Sequence, residues 1–312
     1  LMDVWPFDPG IARQLRLACW VPVDHQPAPP SVEQFFIRSG AVPIAMSRFG
    51  ERMLGRLDPL YVPHGIDTTI YRPHPKKETR ELVGLPEDAF LVGMVAANKG
   101  RPSRKGFSQA FQAFAEFQSR HENAFLYLHT TISPQYGEGE DLTALIEALG
   151  VPADSVLTSD QYRLMFNPHP SESMAQIYST MDVLLNPAMG EGFGITPLEA
   201  QACGTPCIVT NFSAMTEVCG AGWKVGHTPY WTGLKSWQAT ANVPEIVQSL
   251  EAAYSLTDEQ ANDLSEKARK HALGYDIEGV LEQYMLPALK TAEARFAKQD
   301  PVSIAPRLKA AA

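Results

Sequence analysis

The chain is short of cysteine, of long apolar runs and of basic runs, and each shortage excludes a class of protein. The four cysteines among 312 residues show no CxxC pairing and no histidine at zinc spacing, which excludes a disulfide scaffold and a zinc finger. Apolar stretches such as "AFLVGMVAA" fall far below the roughly 20 residues of a membrane-spanning helix. Lys and Arg total 26 against 35 Asp and Glu, a net charge of -9, which argues against a nucleic-acid footprint. We therefore expect a cytoplasmic protein with reduced, mostly buried thiols and no transmembrane segment.

Apolar runs alternate with helical patterns from about residue 80 onward. "FLVGMVAAN", "AFLYLHTT", "DVLLNPA" and "PCIVTN" are typical of buried strands, and amphipathic stretches lie between them. In "KGFSQAFQAFAEFQSRH" the apolar positions Phe107, Phe111, Phe114 and Phe117 recur three and four residues apart, which predicts a helix with one buried face. This alternation with short loops predicts an α/β fold with a parallel, doubly wound sheet.

The stretch "GEGFGITPLEAQACGTP", from Gly190 to Pro206, follows one of these strands. Ligands of open parallel sheets bind outside the carboxyl ends of the strands. Gly192 and Gly194 allow the backbone to approach a ligand, and the helix that follows offers unpaired N–H groups to an anion such as a diphosphate. Two carboxylates, Glu191 and Glu199, beside an anion site favour a neutral, hydrogen-bonding group as well, and sugar hydroxyls fit that description.

Purely structural roles remain open for parts of this stretch. Thr196 as N-cap, Pro197 as the first helical residue and Glu199 three residues after the cap form a good capping box. Phe193 could serve in core packing alone. Neither alternative explains Glu191 or the glycines on both sides of Phe193.

The same residues carry a resemblance to a known family. "EGFGITPLEAQACGTPCIVTN" resembles the Glu-x7-Glu signature of the retaining GT-B glycosyltransferases of family 4 (glycosyl transferases group 1). "AMSRFGERML", "VPHGIDTTIYRP" and "RKGF" look like other segments of the family, in the family's order, so the resemblance covers roughly residues 20 to 220. It implies two Rossmann-like, doubly wound parallel sheets facing a cleft, the N-terminal one incomplete, and transfer of a sugar to a hydroxyl acceptor with retention.

The resemblance also implies roles for individual residues. Glu199 would bind the ribose hydroxyls of a UDP- or GDP-linked sugar, and Glu191 would contact hydroxyls of the transferred sugar. Lys105 would stabilise the diphosphate leaving group, a role that suits a fixed cation. The further donor-binding positions are Gly192, Phe193, Gly194, Arg104 and Lys99. No Asp-x-Asp is present, so neither a catalytic metal nor another cofactor is expected.

Three polar residues are candidates for the acceptor side of the cleft. Asp24 and His25 end a predicted strand in "WVPVDHQPAPP", where the family presents polar groups, although the pattern slightly favours a plain Asp-His turn before a Pro-rich loop. His64 precedes Gly65 in the interdomain segment and either lines the cleft or packs at the hinge.

The resemblance divides the chain and leaves its activity open. Residues 1–77 would be part of an acceptor-side domain, residues 78–275 the donor domain, and 299–312 a flexible tail, with a helix over about 276–298, kinked at Pro287, crossing back to the first domain. An incomplete sheet favours association with a second copy or a partner chain. A non-catalytic binding or assembly protein, or another GT-B enzyme such as a nucleotide-sugar epimerase, stays as an alternative.

Overall fold

The computed structural model describes residues 12, 15–82, 85–86, 88–133, 139–166 and 169–298. The strands of this part of the chain are β1 Ala18–Val21, β2 Val42–Ala45, β3 Leu60–Tyr61, β4 Phe90–Val95, β5 Ala124–His129, β6 Val156–Thr158, β7 Val183–Asn186, β8 Cys207–Thr210, β9 Gly222–Val225, β10 His227–Trp231 and β11 Trp237–Ala241. The α-helices are α1 Pro30–Ser39, α2 Arg48–Met53, α3 Lys76–Leu82, α4 Phe107–Gln118, α5 Leu142–Ala148, α6 Gln161–Phe166, α7 Ser171–Thr180, α8 Ile195–Ala202, α9 Met215–Val218, α10 Val243–Tyr254, α11 Asp258–Leu273, α12 Ile277–Val280 and α13 Leu286–Ala297.

The largest sheet has six parallel strands in the order β6-β5-β4-β7-β8-β9. Chain order runs outward in both directions from the neighbours β4 and β7, so the topological switch point lies between them. The carboxyl ends of β4 and β7 therefore present their loops at the place where open α/β sheets bind ligands. The predicted α/β class with parallel, doubly wound sheets is confirmed.

Helices cover both faces of this sheet because its strands are apolar on both sides. On one face, α4 buries Phe107, Phe111, Phe114 and Phe117 completely against β4 and β5, as its three-and-four spacing predicts. On the other face, α7 and α8 enclose a second core that contains Tyr178. Among the described residues, no helix is both long and apolar enough to cross a membrane.

The smaller parallel sheet, β1-β2-β3, joins the larger unit through two chain crossings that lie side by side. Ile66 N donates to Tyr275 O (3.0 Å), and Ile277 N donates to Ile66 O (2.9 Å). Beyond this crossing Val280 and Ala288 pack against Ile44 of β2. The domain limits given above stay predictions.

Several elements were not predicted from the sequence. The helix α3 begins at the end of the stretch "YVPHGIDTTIYRPHPKKE", which the sequence predicts to be a turn-rich connection, and the antiparallel hairpin β10–β11 had no predicted counterpart. A π-helical turn, Leu281–Met285, directly precedes the helix that contains Pro287, so the helix geometry changes at the position where we expected a kink. The stretch "LMDVWPF", which the sequence predicts to be a strand, and the predicted tail 299–312 lie outside the described residues.

Removal of one buried ring from α4 should destabilise the protein strongly. Phe114→Ala deletes a side chain with 0% exposure and leaves a cavity, so we expect a loss of about 3–5 kcal/mol in the free energy of unfolding. Phe166→Ala, at a 67% exposed phenylalanine, is the control and should change it by less than about 0.5 kcal/mol. Urea unfolding followed by circular dichroism measures both, and equal losses would contradict the assignment of the core.

Candidate active site

The site is built on the loops that follow β4 and β7. Met189 N donates to the carbonyl of Arg104 (2.7 Å), which ties the two loops together. Gly106, with φ +70°, lies so close to Pro187 that a Cβ would stand 2.3 Å from its carbonyl oxygen. The close approach explains why glycine precedes α4.

An ion-paired cluster joins the side chains of these loops. Lys105 Nζ lies 2.5 Å from Glu191 Oε1, and Arg104 Nη1 lies 3.1 Å from Glu191 Oε2 and donates to Gly190 O (2.8 Å). The Lys105 and Glu191 side chains are only 18% and 11% exposed. Burial alone would lower the pKa of Arg104, but the charges of Glu191 and Asp24 outweigh burial and raise it. Lys105 is therefore not a solvated lysine, and three of the predicted residues stand together.

Lys99 does not join this cluster. Its side chain is exposed, and within the described ranges it makes no ion pair. Its neighbour Asn98 is buried instead and anchors the loop, because its amide donates to Thr131 O (2.9 Å) and Glu140 O (2.7 Å). The part of the chain that the structure describes holds no group of three or more His, Cys, Asp or Glu side chains placed for a metal ion.

Glu199 lies in a pocket of hydroxyl groups. Tyr178 Oη donates to Glu199 Oε2 at 2.7 Å. Burial raises the pKa of Glu199, and hydrogen bonds from Tyr178 and Tyr71 partly offset that rise. Burial and the nearby Glu199 charge raise the pKa of Tyr71 to about 12, so both tyrosines remain protonated donors near neutral pH.

The capping-box alternative for Glu199 is wrong. The helix α8 begins two residues earlier than that alternative requires, after Gly194 at φ 96°, and its N-cap makes no side-chain hydrogen bond. Asn186 Nδ2, not a backbone amide, is the donor near Thr196 Oγ1 (3.5 Å). The carboxylate of Glu199 is therefore available to a ligand instead of being used by its own helix.

The segment that follows β1, residues 22–25 (the N-terminal segment), packs against the loop that carries Glu191. A Cβ on Gly190 would lie 2.4 Å from Asp24 O, and one on Gly192 would lie 2.1 Å from Pro22 Cβ. Asp24 is buried, and its Oδ1 lies 2.7 Å from Nδ1 of the buried His25. The structure thus brings the predicted pair Asp24 and His25 into a buried contact with the Glu191 loop.

Phe193 and His64 meet at the hinge. Phe193 is buried with Ile66 and Ala272, and its ring centroid is 5.7 Å from that of His64. His64 also stacks near Trp20, at 4.9 Å. Both side chains pack between the two sheets, which is the structural role that we left open for each of them.

Sequence reasoning missed the residues that support the predicted ones. Tyr71 and Tyr178 flank Glu199, Ser213 Oγ accepts a hydrogen bond from Glu191 N (2.9 Å), and Gln238 Nε2 donates to Asp24 Oδ2 (3.3 Å). The alternation in "WQATA" was a usable strand signal for Gln238. No local pattern marks the other three, because their contacts come from distant parts of the chain.

The chain is similar to known proteins in sequence and in fold. A family model described as "Glycosyl transferases group 1" matches residues 75–271. The D-inositol 3-phosphate glycosyltransferase of Acidothermus cellulolyticus is 32% identical over 166 residues, 52% of this chain and 35% of the relative. This chain thus spans about a third of the length of that curated relative.

Solved structures show the same fold at low identity. Sucrose-phosphate synthase from Thermosynechococcus elongatus matches with a TM-score of 0.64 at 20% identity, over 80% of this chain and 58% of that chain. Anabaena Alr3699/HepE, solved in complex with UDP and glucose, matches with a TM-score of 0.63 at 17% identity, over 83% of this chain and 65% of that chain. The predicted GT-B architecture is therefore confirmed.

The raised pKa of Glu199 should make stability depend on pH. Because the folded-state pKa lies above the unfolded value near 4.5, the folded protein binds the proton more tightly. Relative to Glu199→Gln, the wild type should therefore lose free energy of unfolding as the pH rises from the unfolded pKa to the folded one, and the difference should then be constant.

Urea unfolding of both proteins from about pH 4 to 8 measures this difference. Tyr178→Phe removes a hydrogen bond that lowers the pKa of Glu199, so the decline should extend to higher pH in that variant. A difference that stays flat or increases with pH would contradict the assigned environment.

Proposed function

The chain belongs to the glycosyl transferases group 1 family, and on that premise we propose that it transfers a sugar from a nucleotide-diphosphate donor to a hydroxyl acceptor with retention. The observation that supports this most is the Lys105–Glu191 ion pair at the switch point of the larger sheet. A poorly solvated cation at this position would face the leaving diphosphate.

The nucleotide would bind along α8. Glu199 accepts hydrogen bonds from Tyr178 and Tyr71, and a carboxylate has about four acceptor positions, so acceptor positions remain for two ribose hydroxyls. The backbone amides from Gly192 to Gly194 and the N-terminus of α8 would face the diphosphate. UDP and GDP are the first nucleotides to consider.

In the proposed reaction the bond between the anomeric carbon and the diphosphate oxygen breaks, and the same carbon bonds to the acceptor oxygen on the same face. The acceptor proton passes to the leaving phosphate. Lys105 and Arg104 stabilise the negative charge that develops there, and Glu191 orients both cations while it contacts sugar hydroxyls. With two cations so placed, the proposal needs no metal ion.

The acceptor would approach from the smaller sheet. Asp24 and His25 are buried beside the Glu191 loop, and Gln238 holds the second carboxylate oxygen of Asp24. The acceptor-side residues would therefore come from the segment after β1, and the donor-side residues from the loops of the larger sheet. Such an arrangement suits a transfer between two substrates.

Donor binding is tested with a thermal-shift screen of UDP, GDP and ADP, with and without magnesium. One nucleotide at 100 times its dissociation constant should add about 2.7 kcal/mol to stability, with no requirement for magnesium. Glu199→Ala should abolish the shift. Glu259→Ala, at an exposed glutamate of α11, is the control and should preserve it. No shift with any nucleotide would contradict the donor site.

Turnover is tested separately with a labelled nucleotide-sugar and analysis of its products. Lys105→Ala and Glu191→Ala should each reduce transfer about 100-fold or more, because each removes stabilisation of charge in the transition state. Lys267→Ala, which removes an exposed lysine of α11, is the control for loss of a positive charge and should have no effect.

Two outcomes of this assay would favour the alternatives. Full transfer by both site variants would contradict the assigned roles. Donor binding without any product in the wild type would favour a binding protein, and an epimerised donor without transfer would favour an epimerase.

A further inference from the structure

A cavity lies beside the loop that carries Lys105. Its volume is about 280 Å³, and its lining includes Ser103, Ser108, Glu140, Tyr230 and Thr240. Drug-sized ligands occupy roughly 300–1,000 Å³, so this cavity suits a single ring. Hydroxyl groups, a carboxylate and one aromatic ring together are suited to a ligand with both polar groups and an apolar face.

Glu140 contributes an unused acceptor to this cavity. Its Oε1 accepts a hydrogen bond from Ser103 N (3.0 Å), whereas its Oε2 is buried and has no hydrogen-bond partner among the described residues. The backbone of Glu140 is fixed on both sides by Asn98, at 2.9 and 2.7 Å. A buried, unpaired carboxylate oxygen is unfavourable, and a turn of the Glu140 side chain toward the cavity would let a ligand hydroxyl satisfy it.

Tyr230 supplies the apolar wall. It is 41% exposed and pairs directly across the hairpin with Gln238, so the two side chains lie on the same face. Gln238 reaches Asp24 from that face. The next pair along the hairpin, Trp231 and Trp237, therefore points to the opposite face, where the two rings meet edge to face at 4.8 Å.

The cavity and the proposed transfer site share their walls. Ser103 precedes Lys105 by two residues, and Met189, which also lines the cavity, precedes Glu191 by two. The hairpin is bonded to the same loop, because Ala239 N donates to Met189 O (2.8 Å). A ligand in the cavity would thus lie against the two loops that carry Lys105 and Glu191.

We propose that this cavity binds one neutral sugar unit of the acceptor, with Tyr230 against the C–H face of the ring and Glu140 Oε2 accepting a hydrogen bond from a hydroxyl. The assignment to the acceptor rests on the proposed function. A neutral sugar fits because the Glu140 carboxylate would repel an anion, while the hydroxyl lining disfavours a purely apolar ligand.

Saturation-transfer NMR on the full chain tests the proposal, with glucose, galactose, mannose and N-acetylglucosamine as probes and UDP present throughout. At least one sugar should receive saturation. Tyr230→Ala should weaken its binding about tenfold. Trp231→Ala, at a 52% exposed aromatic on the opposite face of the same strand, is the matched control and should not. Glu140→Gln keeps an oxygen for Ser103 N but replaces the free acceptor, and should also weaken binding.

Saturation of none of the four sugars, or equal binding by wild type and Tyr230→Ala, would overturn the subsite. The UDP thermal shift of the same samples separates this result from the proposed function. Sugar binding that depends on Tyr230 in a protein that does not bind UDP would refute donor binding and leave the subsite standing.

Discussion

The Lys105–Glu191 contact is the interaction on which the geometry of the site depends. It joins residues 86 apart in sequence, and because both side chains are mostly buried, solvent and salt screen the attraction weakly. A backbone bond between Met189 and Arg104 holds the same two loops in register. These two joined loops contact the hairpin and the N-terminal segment, and they form one wall of the cavity. The position of the two loops therefore determines the positions of all three features.

The glycines of the Glu191 loop have a further reason to be glycine. From the sequence, Gly192 was expected to let the backbone approach a ligand. In the structure its missing side chain admits Pro22, and that of Gly190 admits the backbone of Asp24. These glycines let the two sheets come into contact at the loop. The donor could approach the glycine backbone closely only on the side of the loop that faces α8.

The larger sheet was predictable because its strands are continuous apolar runs and its helices have clear periodicity. Phe107 to Phe117 fall on one buried face for that reason. The hairpin escaped prediction because Pro229 lies inside β10, where proline argues against a strand, and because Tyr230 and Trp231 are both exposed. The sequence marked Glu191 by its place beside a predicted anion site, whereas the role of Lys105 came from family resemblance. Their mutual contact, and those of Tyr178 and Gln238, depend on tertiary packing that no local pattern encodes.

The two glutamates of the motif occupy opposite environments. Glu191 faces two cations, whereas Glu199 faces two neutral tyrosine hydroxyls, and burial raises its pKa. A carboxylate between cations is suited to holding them in place for a diphosphate. A carboxylate among hydroxyl donors is suited to exchanging hydrogen bonds with further hydroxyls, such as those of a ribose. In the proposed reaction Glu191, in the loop before α8, therefore serves charge stabilisation, and Glu199, eight residues later within α8, serves nucleotide recognition. The neighbouring side chains that the fold brings to each glutamate determine which of the two roles it has.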